Sequence, residues 1–329
     1  MMISFAPMEG VTTATFRRVY KEHFTGVDRY YTPFLAATQT GCFKKRETRE
    51  YTPFDPLLVP QVMAAKAEHV IWAARLLADA GYEEVNLNLG CPAATVVTKK
   101  KGSGMLADPD LLDRFLDGIF REQDLPKLSV KTRIGFADPG EAERLGEIYG
   151  KYPISEVIIH PRVREDFYNR PLSLQGFEAM KKHLPCPVAF NGDIRTVEDA
   201  GKILTAYPDT EHLMIGRGLL ADPLLAEKIK AGEGQKAEEE RKAEGAAEDK
   251  NRIRDFVTDL WDAYSEILSG ERDVLFKMKE IWFHLGSSFP DCEKQLDKLK
   301  KCRTAADYRG ITETMFRQSQ GGVLYSCHV

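Results

Sequence analysis

The stretch EVNLNLGCP, residues 84–92, decides how the chain is read. Its apolar residues alternate with polar ones up to Leu89, which is the two-residue period of a β-strand. Gly90 and Pro92 end that strand, so Cys91 is predicted on the loop just past it. The stretch raises one question, namely whether this thiol is packed as a small hydrophobic side chain or takes part in chemistry.

Seven similar apolar runs occur in the first 216 residues, and helical patterns lie between them. The eight predicted strands are residues 2–6, 28–32, 57–62, 84–89, 128–134, 155–160, 186–191 and 211–216. Alternating strands and helices indicate a parallel sheet. Eight such units in about 220 residues favour a closed (β/α)8 TIM barrel over an open doubly wound sheet.

The composition is that of an ordinary globular protein and excludes disordered or fibrous classes. The 329 residues are 43% hydrophobic and 29% charged. The N-terminus lacks the pattern of a signal peptide, and no stretch approaches the roughly 18 apolar residues of a membrane span. We therefore expect a cytoplasmic protein without membrane contact.

The six cysteines show no spacing typical of a zinc site or of a disulfide framework, so free thiols and no structural metal are expected. They are Cys42, Cys91, Cys186, Cys292, Cys302 and Cys327. Apart from Cys91, each is interpreted as a small buried hydrophobic side chain.

The net charge of −4 argues against a general nucleic-acid coat, because non-specific binding grows with the number of phosphates neutralised. Any contact with RNA would use local basic patches. Candidates are Lys44–Arg46, Lys99–Lys101 and residues 294–303. Taken singly, each of these patches is more often a solvated face.

The end of the chain differs from the barrel pattern. Residues 231–250 are dense in charge and contain no large apolar residue, which predicts a mobile linker or the solvated start of a helix. From residue 251 to 329, apolar residues recur three and four apart, as in a helical bundle. The predicted organisation is a catalytic barrel over 1–230, a charged linker over 231–250 and a small helical domain over 251–329.

In a barrel of this kind the active site lies at the carboxyl ends of the strands, and polar residues or glycines recur there. In strand order they are Pro7, Met8 and Glu9; Gln61; Asn88 and Cys91; Lys131 and Arg133; His160 and Arg162; Asn191, Gly192 and Asp193; Gly216, Arg217 and Gly218. We expect these residues to face one mouth.

The glycine-bearing segments after strands seven and eight favour a phosphate site. NGDI (191–194) and IGRG (215–218) occupy the place where many barrels bind phosphate through backbone N–H groups. Arg217 would add a charge-assisted hydrogen bond. Either segment alone is more typical of a simple turn, and it is the pair that favours phosphate.

Several side chains at the strand ends have a structural alternative. Lys131 and Arg133 alternate along one strand and point to one side, where a buried charge needs an anion, a polarised ring or an ion pair. We favour the ligand, because Asn88 and His160 on the neighbouring strands are not carboxylates. His160 is equally well explained as a core histidine, and Gln61 as a buried structural amide.

Taken together, these motifs resemble the dihydrouridine synthase family, flavin enzymes that reduce a uridine base in transfer RNA. The similar segments are APMEGVT (6–12), Gln61, NLNLGCP (86–92), GSGMLADPDLL (102–112), SVKTRIGF (129–136), IIHPR (158–162), NGDI and MIGRG (214–218). The segment KMKEIW (277–282) is only loosely similar to the family's C-terminal domain.

The resemblance implies FMN in the mouth of the barrel, with NAD(P)H as reductant. The residues it assigns to the cofactor are Pro7, Met8, Glu9, Gln61, Lys131, His160, Asn191, Gly192, Asp193, Gly216 and Arg217. Among these, Gln61 and Lys131 would reach the pyrimidine edge of the flavin ring, and the glycine segments would hold the ribityl phosphate.

The resemblance also implies the chemistry of Cys91. The flavin would pass a hydride to C6 of uracil, and Cys91 would supply the proton to C5. The implied substrate-binding residues are Asn88, Arg133, Arg162, Lys277 and Lys279. The uridine would have to leave its stack to enter the mouth.

Two segments depart from the family pattern. The chain has HPRV at 160–163, where the family often has His-Gly-Arg-Thr, and Thr32-Pro33 where Thr-Glu is frequent. We expect the first departure to change a loop near the flavin or the RNA.

Other functions remain open at this point. They are an FMN-dependent reductase of a free pyrimidine or small enone, a non-catalytic RNA-binding protein, and a non-redox phosphate-binding lyase on the same barrel. The sequence leaves the modified uridine, the choice between NADH and NADPH and the oligomeric state undetermined.

Overall fold

The computed structural model describes residues 1–232 and 244–318. Within these ranges ten strands form one sheet of parallel strand pairs. The strands are β1 (Met2–Phe5), β2 (Arg29–Tyr31), β3 (Leu35–Ala36), β4 (Leu58–Val59), β5 (Gln61–Met63), β6 (Glu84–Leu89), β7 (Lys127–Gly135), β8 (Val157–Val163), β9 (Val188–Asn191) and β10 (His212–Ile215).

The sheet closes on itself at Pro60. The hydrogen-bonded order is β3-β5-β6-β7-β8-β9-β10-β1-β2-β4. Strand β4 pairs with β2 and β5 pairs with β6, yet only Pro60 separates β4 from β5 along the chain. Residues 58–63 are therefore one strand with a neighbour on each side. The result is the predicted closed barrel of eight parallel strands, with β3 as a short extra strand beside β5.

The helices follow the strands as the alternating pattern predicts. They are α1 (Ala14–His23), α2 (Lys45–Thr48), α3 (Ala67–Asp79), α4 (Ala94–Val97), α5 (Pro109–Phe120), α6 (Glu141–Tyr149), α7 (Leu174–Lys181), α8 (Val197–Ala206), α9 (Arg217–Ala221), α10 (Leu225–Lys230), α11 (Glu244–Ile267), α12 (Glu271–Leu285), α13 (Glu293–Lys301) and α14 (Ala305–Gln318). As predicted from the sequence, Asp108 caps α5, its side chain accepting from the Leu111 N–H, and Pro109 is the first helical residue.

The described residues group into two compact units. The first contains Met1–Pro7, Asp28–Gly192 and Tyr207–Met214, and so holds nearly all of the barrel sheet. The second contains Met8–Val27, Asp193–Ala206 and the described residues from Ile215 onward. The boundary predicted at residue 230 stays a prediction. Of the predicted linker 231–250, residues 233–243 lie outside the described part of the chain, and α11 begins at Glu244.

Side chains inside the barrel lie in layers, because alternate residues of a strand share a side. A buried, mainly apolar cluster crosses the middle; it consists of Ala6, Tyr31, Val59, Ile158, Ala189 and Met214. Two residues earlier on these strands lie polar side chains such as Glu156 and His212. Two residues later lie His160 and Asn191. The barrel interior therefore has polar ends and a mainly apolar waist.

The second unit has its own aromatic core. Phe256 of α11 lies edge-on to Phe16, Tyr20 and Phe24, with ring centroids 5.8, 6.1 and 5.2 Å away. The Thr13 and Tyr264 hydroxyls are 3.2 Å apart. The tail is helical as predicted, and its first helix packs against α1.

Two predictions need correction. The HPRV segment is part of strand β8, which runs on to Val163 and pairs there with Gly135 after a register shift, so it is not a loop. Cys42 is exposed and Cys186 partly buried, whereas Cys292 and Cys302 are buried as predicted. Cys42 is exposed because it lies in a surface turn between β3 and α2. Cys327 lies outside the described residues.

Candidate active site

Cys91 lies two residues past the end of β6, on a turn that is held from both sides. The Asn88 side-chain oxygen accepts from the backbone N–H groups of Gly90 and Cys91, at 3.2 and 3.0 Å. The Cys91 carbonyl accepts from both the backbone N–H and the hydroxyl of Ser103, at 3.1 and 2.8 Å. These bonds fix the Cys91 backbone, and the residue itself remains only partly buried.

Gly102 explains part of the GSGM motif. It has φ +53, and a Cβ at this position would lie 2.9 Å from the Cys91 carbonyl oxygen and 3.1 Å from its Cβ. Only glycine allows this approach together with the left-handed backbone. The segment that contains Gly102, after α4, therefore packs directly against the Cys91 turn.

The side chain of Lys131 on β7 has no hydrogen bond or ion pair with any described residue. Burial and the neighbouring Arg133 guanidinium lower its pKa to about 7, and interaction with Cys91 opposes that shift. The structure thus places the amine within electrostatic reach of the thiol. A partly buried cation without an acidic partner among the described residues fits an anion or an electron-rich ring, as was inferred from the strand pattern.

Arg133 is 1% exposed and is fixed mainly by backbone oxygens. Its Nε and Nη1 donate to the carbonyls of Gly90 and Val163, at 3.0 and 2.9 Å, and the guanidinium also interacts with the Tyr168 hydroxyl. Burial lowers its pKa. The guanidinium therefore ties the Cys91 turn to β8, and it forms no ion pair with any described residue.

His160 and Arg162 are adjacent inward side chains of β8. Arg162 Nη1 lies 3.1 Å from His160 Nε2, and Arg162 Nε donates to the Arg170 carbonyl. Because a guanidinium can only donate, His160 Nε2 must accept, which places the ring hydrogen on Nδ1. The Arg162 guanidinium therefore sets the tautomer of the His160 ring.

Tyr168 is a site residue that the sequence reasoning missed. Its ring stacks on His160 with centroids 5.7 Å apart, and Arg133 lies over it at 5.1 Å. The side chain is still 48% exposed. No motif marks this tyrosine, since it follows β8 in an irregular loop; only the fold brings it to the charged end of β7.

The predicted phosphate segment begins in the first unit. Asn191 is buried, and its Nδ2 donates to the Met214 carbonyl at 2.8 Å, which joins β9 to β10. Gly192 has φ +151, and a Cβ there would lie 3.0 Å from Leu172 and 3.2 Å from the His160 ring. The backbone at this point therefore needs glycine. Pro7 lies directly after β1 in the same unit.

The other predicted cofactor residues belong to the second unit. Met8 N donates to Thr12 Oγ1 at 2.8 Å, and Glu9 is exposed. Arg217, next to Gly216, forms an ion pair with Asp193 at 2.8 Å. The predicted sharing of one mouth by these residues and those of the first unit stays a prediction.

Lys277 and Lys279, predicted to bind RNA, both donate to backbone oxygens within the second unit. Lys277 Nζ lies 2.8 Å from the Gly10 carbonyl and 2.9 Å from Glu280, and Lys279 Nζ lies 2.6 Å from the Cys302 carbonyl. These bonds give both lysines a structural role. Their contact with RNA remains a prediction.

With this geometry in place, comparison with known proteins identifies the family. The family model described as "Dihydrouridine synthase (Dus)" matches residues 4–307. The chain belongs to the dihydrouridine synthase family. The resemblance inferred from the motifs is thereby confirmed, and with it the prediction that the protein is an oxidoreductase.

Curated relatives agree with this membership. The tRNA-dihydrouridine synthase B of Shewanella oneidensis is 25% identical over 94% of both chains. That of Pasteurella multocida is 28% identical over 68% of this chain and 67% of its own. The tRNA-dihydrouridine(16) synthase of Pseudomonas syringae pv. tomato is 29% identical over 73% of this chain and 77% of its own.

Two absences concern the described residues alone. Within 1–232 and 244–318, no group of three or more His, Cys, Asp or Glu side chains is arranged to hold a metal ion. Over the same ranges, no helix combines the length and apolar character needed to cross a bilayer.

Proposed function

We propose that this protein reduces a uridine in transfer RNA to 5,6-dihydrouridine, with FMN as cofactor and NAD(P)H as reductant. The observation that carries the proposal is the Cys91 thiol, held at the carboxyl end of a closed barrel within electrostatic reach of an unpaired lysine. Family membership and the names of the curated relatives support it.

The residues at the carboxyl end of the barrel fit a flavin. Among the described residues Lys131 has no acidic partner, Arg133 interacts with the ring and hydroxyl of Tyr168, and His160 carries its hydrogen on Nδ1. Lys131, His160 and Gln61 would hold the pyrimidine edge of the ring, whose carbonyl oxygens accept hydrogen bonds. Asn191, Gly192, Asp193, Gly216 and Arg217 would bind the phosphate, and Pro7, Met8 and Glu9 would line the ring. When bound, FMN supplies the hydride for C6 of uracil.

Cys91 would act as the general acid. A cysteine thiol ordinarily carries its proton at neutral pH, so it can donate to C5 of the base without prior activation. The thiolate left behind would be stabilised by the Lys131 ammonium, which interacts with it electrostatically. The Asn88 and Ser103 hydrogen bonds would hold the Cys91 backbone in place during the transfer.

Asn88 would bind the base, and its existing bonds restrict how it does so. Its oxygen already accepts two backbone N–H groups, and one of its two N–H bonds is given to Gln61 at 2.7 Å. One N–H donor remains. Asn88 would therefore donate to a carbonyl oxygen of uracil. Arg133 and Arg162, already fixed by carbonyl oxygens, would add positive charge on one side.

RNA would be held by the local basic patches. Lys44, Lys45 and Arg46 are exposed, as are Lys99 and Lys100. Lys101 has a lowered pKa because of partial burial and the like charge of Lys99. A phosphate placed among these cations would relieve their repulsion. Lys277, Lys279 and the rest of the helical domain would extend this contact, and the protein would act in the cytoplasm.

The test is mass analysis of transfer RNA from cells that lack this protein. We expect one uridine position to become lighter by two hydrogen atoms, and purified protein with NAD(P)H and FMN to restore the missing mass. Unchanged transfer RNA at all positions would contradict the proposal. If purified yellow protein then reduced a free pyrimidine or enone, the small-molecule reductase would replace it.

A further inference from the structure

A continuous row of side-chain hydrogen bonds runs through the first unit, beneath the Cys91 turn. Asn88 Nδ2 donates to Gln61 Oε1 at 2.7 Å, Gln61 Nε2 donates to Asn86 Oδ1 at 2.8 Å, and Asn86 Nδ2 donates to Ser129 Oγ at 2.9 Å. Gln61, Asn86 and Ser129 are each 0% exposed. We call this row of four side chains the amide relay.

The direction of the relay is set by the backbone of the Cys91 turn. The N–H groups of Gly90 and Cys91 can only donate, so the side-chain oxygen of Asn88 must face them. The Asn88 nitrogen must then face Gln61. The orientation of Asn88 fixes that of Gln61, and Gln61 in turn fixes Asn86. The row ends at Ser129, whose hydroxyl can serve as either donor or acceptor.

The relay connects two sites that are far apart in the sequence. One is the turn that holds the thiol; the other is the Gln61 amide on the neighbouring strand, whose backbone N–H is also bound to Thr32 Oγ1 at 2.9 Å. A flip of either amide would set two donors or two acceptors against each other in a buried site, which costs more than a flip in water.

We infer that Asn86 and Ser129 are positioning residues, which fix the orientation of the Gln61 amide and the placement of the Cys91 turn through the amide relay. Neither residue belongs to the set assigned above to cofactor or substrate. Three fully buried polar side chains in a barrel interior would be replaced at little cost by apolar ones if packing were their only role. The catalytic consequence of the relay rests on the proposed function, but its effect on the turn does not.

The experiment measures the alkylation rate of each thiol by iodoacetamide, read by mass spectrometry of the peptides. Cys42, which is exposed, serves as the internal reference. In the variant Asn86→Leu, Gln61 loses its acceptor and the turn loses its fixed geometry. We expect the rate at Cys91 relative to Cys42 to rise by about tenfold, the factor that corresponds to 1.4 kcal/mol, within the range for one lost buried hydrogen bond.

The conservative variant Asn86→Asp separates positioning from packing. Because burial favours the neutral carboxylic acid, this aspartic acid can accept from Gln61 Nε2 through its carbonyl oxygen and donate from its hydroxyl to Ser129 Oγ, so the relay keeps its direction. We expect the Cys91 rate to stay within about twofold of the wild-type value. Ser129→Ala removes only the last link and should give an effect between those of the other two variants.

Tyr149→Phe is the matched control. It removes a buried hydrogen bond of 2.9 Å to Thr132, which lies on the same strand as Ser129 but on its other side. This variant should lose stability without changing the Cys91 rate. If Asn86→Leu left the Cys91 rate within twofold of wild type, or failed to fold while Ser129→Ala left it unchanged, the inference would be wrong. Because no RNA or reductant is present, the result does not depend on the proposed function.

Discussion

The two ends of the barrel interior are both polar, but they are built in opposite ways. At the amino end, His212 lies between Glu156, at 2.8 Å, and Ser4, at 2.7 Å, while Arg29 pairs with Glu84 at 3.2 Å. Each cationic or imidazole side chain there has an acidic partner. At the carboxyl end, Lys131 and Arg133 have no acidic partner among the described residues.

The difference indicates which end waits for a ligand. Buried charges are stable when they are paired, and His212 and Arg29 at the amino end each have a carboxylate partner, although one oxygen of each carboxylate is buried without a hydrogen bond in the described part of the chain. At the carboxyl end, the Lys131 side chain has no acidic partner among the described residues, so an electron-rich molecule bound there would supply one. This is why the carboxyl end is assigned to chemistry and the Ser4–His212–Glu156 row, despite its likeness to a catalytic triad, is assigned to structure.

The largest effect should come from Cys91→Ala. Loss of a general acid is expected to lower the rate of dihydrouridine formation by about 10²–10⁴-fold, because no other group takes the place of the thiol on the turn. Binding of FMN, followed by its visible absorbance, should persist. The control is Cys42→Ala, which should keep full activity. If the Cys91→Ala protein kept its turnover, the carboxyl end of the barrel could no longer be distinguished from the amino end as the site of chemistry.

At the opposite end, Glu156→Leu should act on stability alone. It leaves His212 buried without its acidic partner, so we expect the free energy of unfolding to fall by about 3 kcal/mol. Urea denaturation measures this change. The affinity for FMN of the folded fraction should be unaltered, since the mainly apolar waist separates the two ends. A loss of FMN affinity at unchanged stability would show that the amino end serves the ligand too.

The fold was readable from the sequence because strand length and alternation are local properties. All eight predicted strands are present, and the closure at Pro60 follows from a single run, LLVPQV. The extension of β8 through HPRV was not predicted, since a proline argues against continuing a strand. Pro161 is tolerated because its carbonyl, not an N–H, is used there, accepting from Ser173 N at 2.8 Å.

The candidate site was only partly readable. Cys91 and Lys131 were singled out because the turn and the strand period placed them. Tyr168 was missed, because its place beside Arg133 depends on a loop with no pattern. The amide relay was also missed, because Asn86 looks like any polar residue in a strand until Gln61 Nε2 is known to lie 2.8 Å from its side-chain oxygen on the neighbouring strand.

The smallest effect concerns the protonation of Lys131, and it tests the contrast between the ends most directly. Its folded-state pKa of about 7 lies below the ordinary 10.5. An electron-rich ligand favours the ammonium, so binding should take up a proton above pH 7. FMN affinity is then expected to fall by up to about tenfold per pH unit above 7, and to be independent of this group at lower pH.

Lys131→Met should remove that slope while the titration of FMN itself stays common to both proteins. Fluorescence quenching of FMN between about pH 6 and pH 9 measures the FMN affinity of both proteins as a function of pH. Lys131 should affect stability with the opposite sign: FMN affinity falls as the pH rises, whereas the free energy of unfolding increases. Between pH 7 and 10.5 the unfolded chain binds the proton that the folded chain has lost, so the wild-type protein without FMN should gain stability relative to Lys131→Met as the pH rises through that window. Equal pH slopes of FMN affinity in the two proteins would mean that Lys131 does not meet the ligand, and that the unpaired cations at the carboxyl end have another purpose.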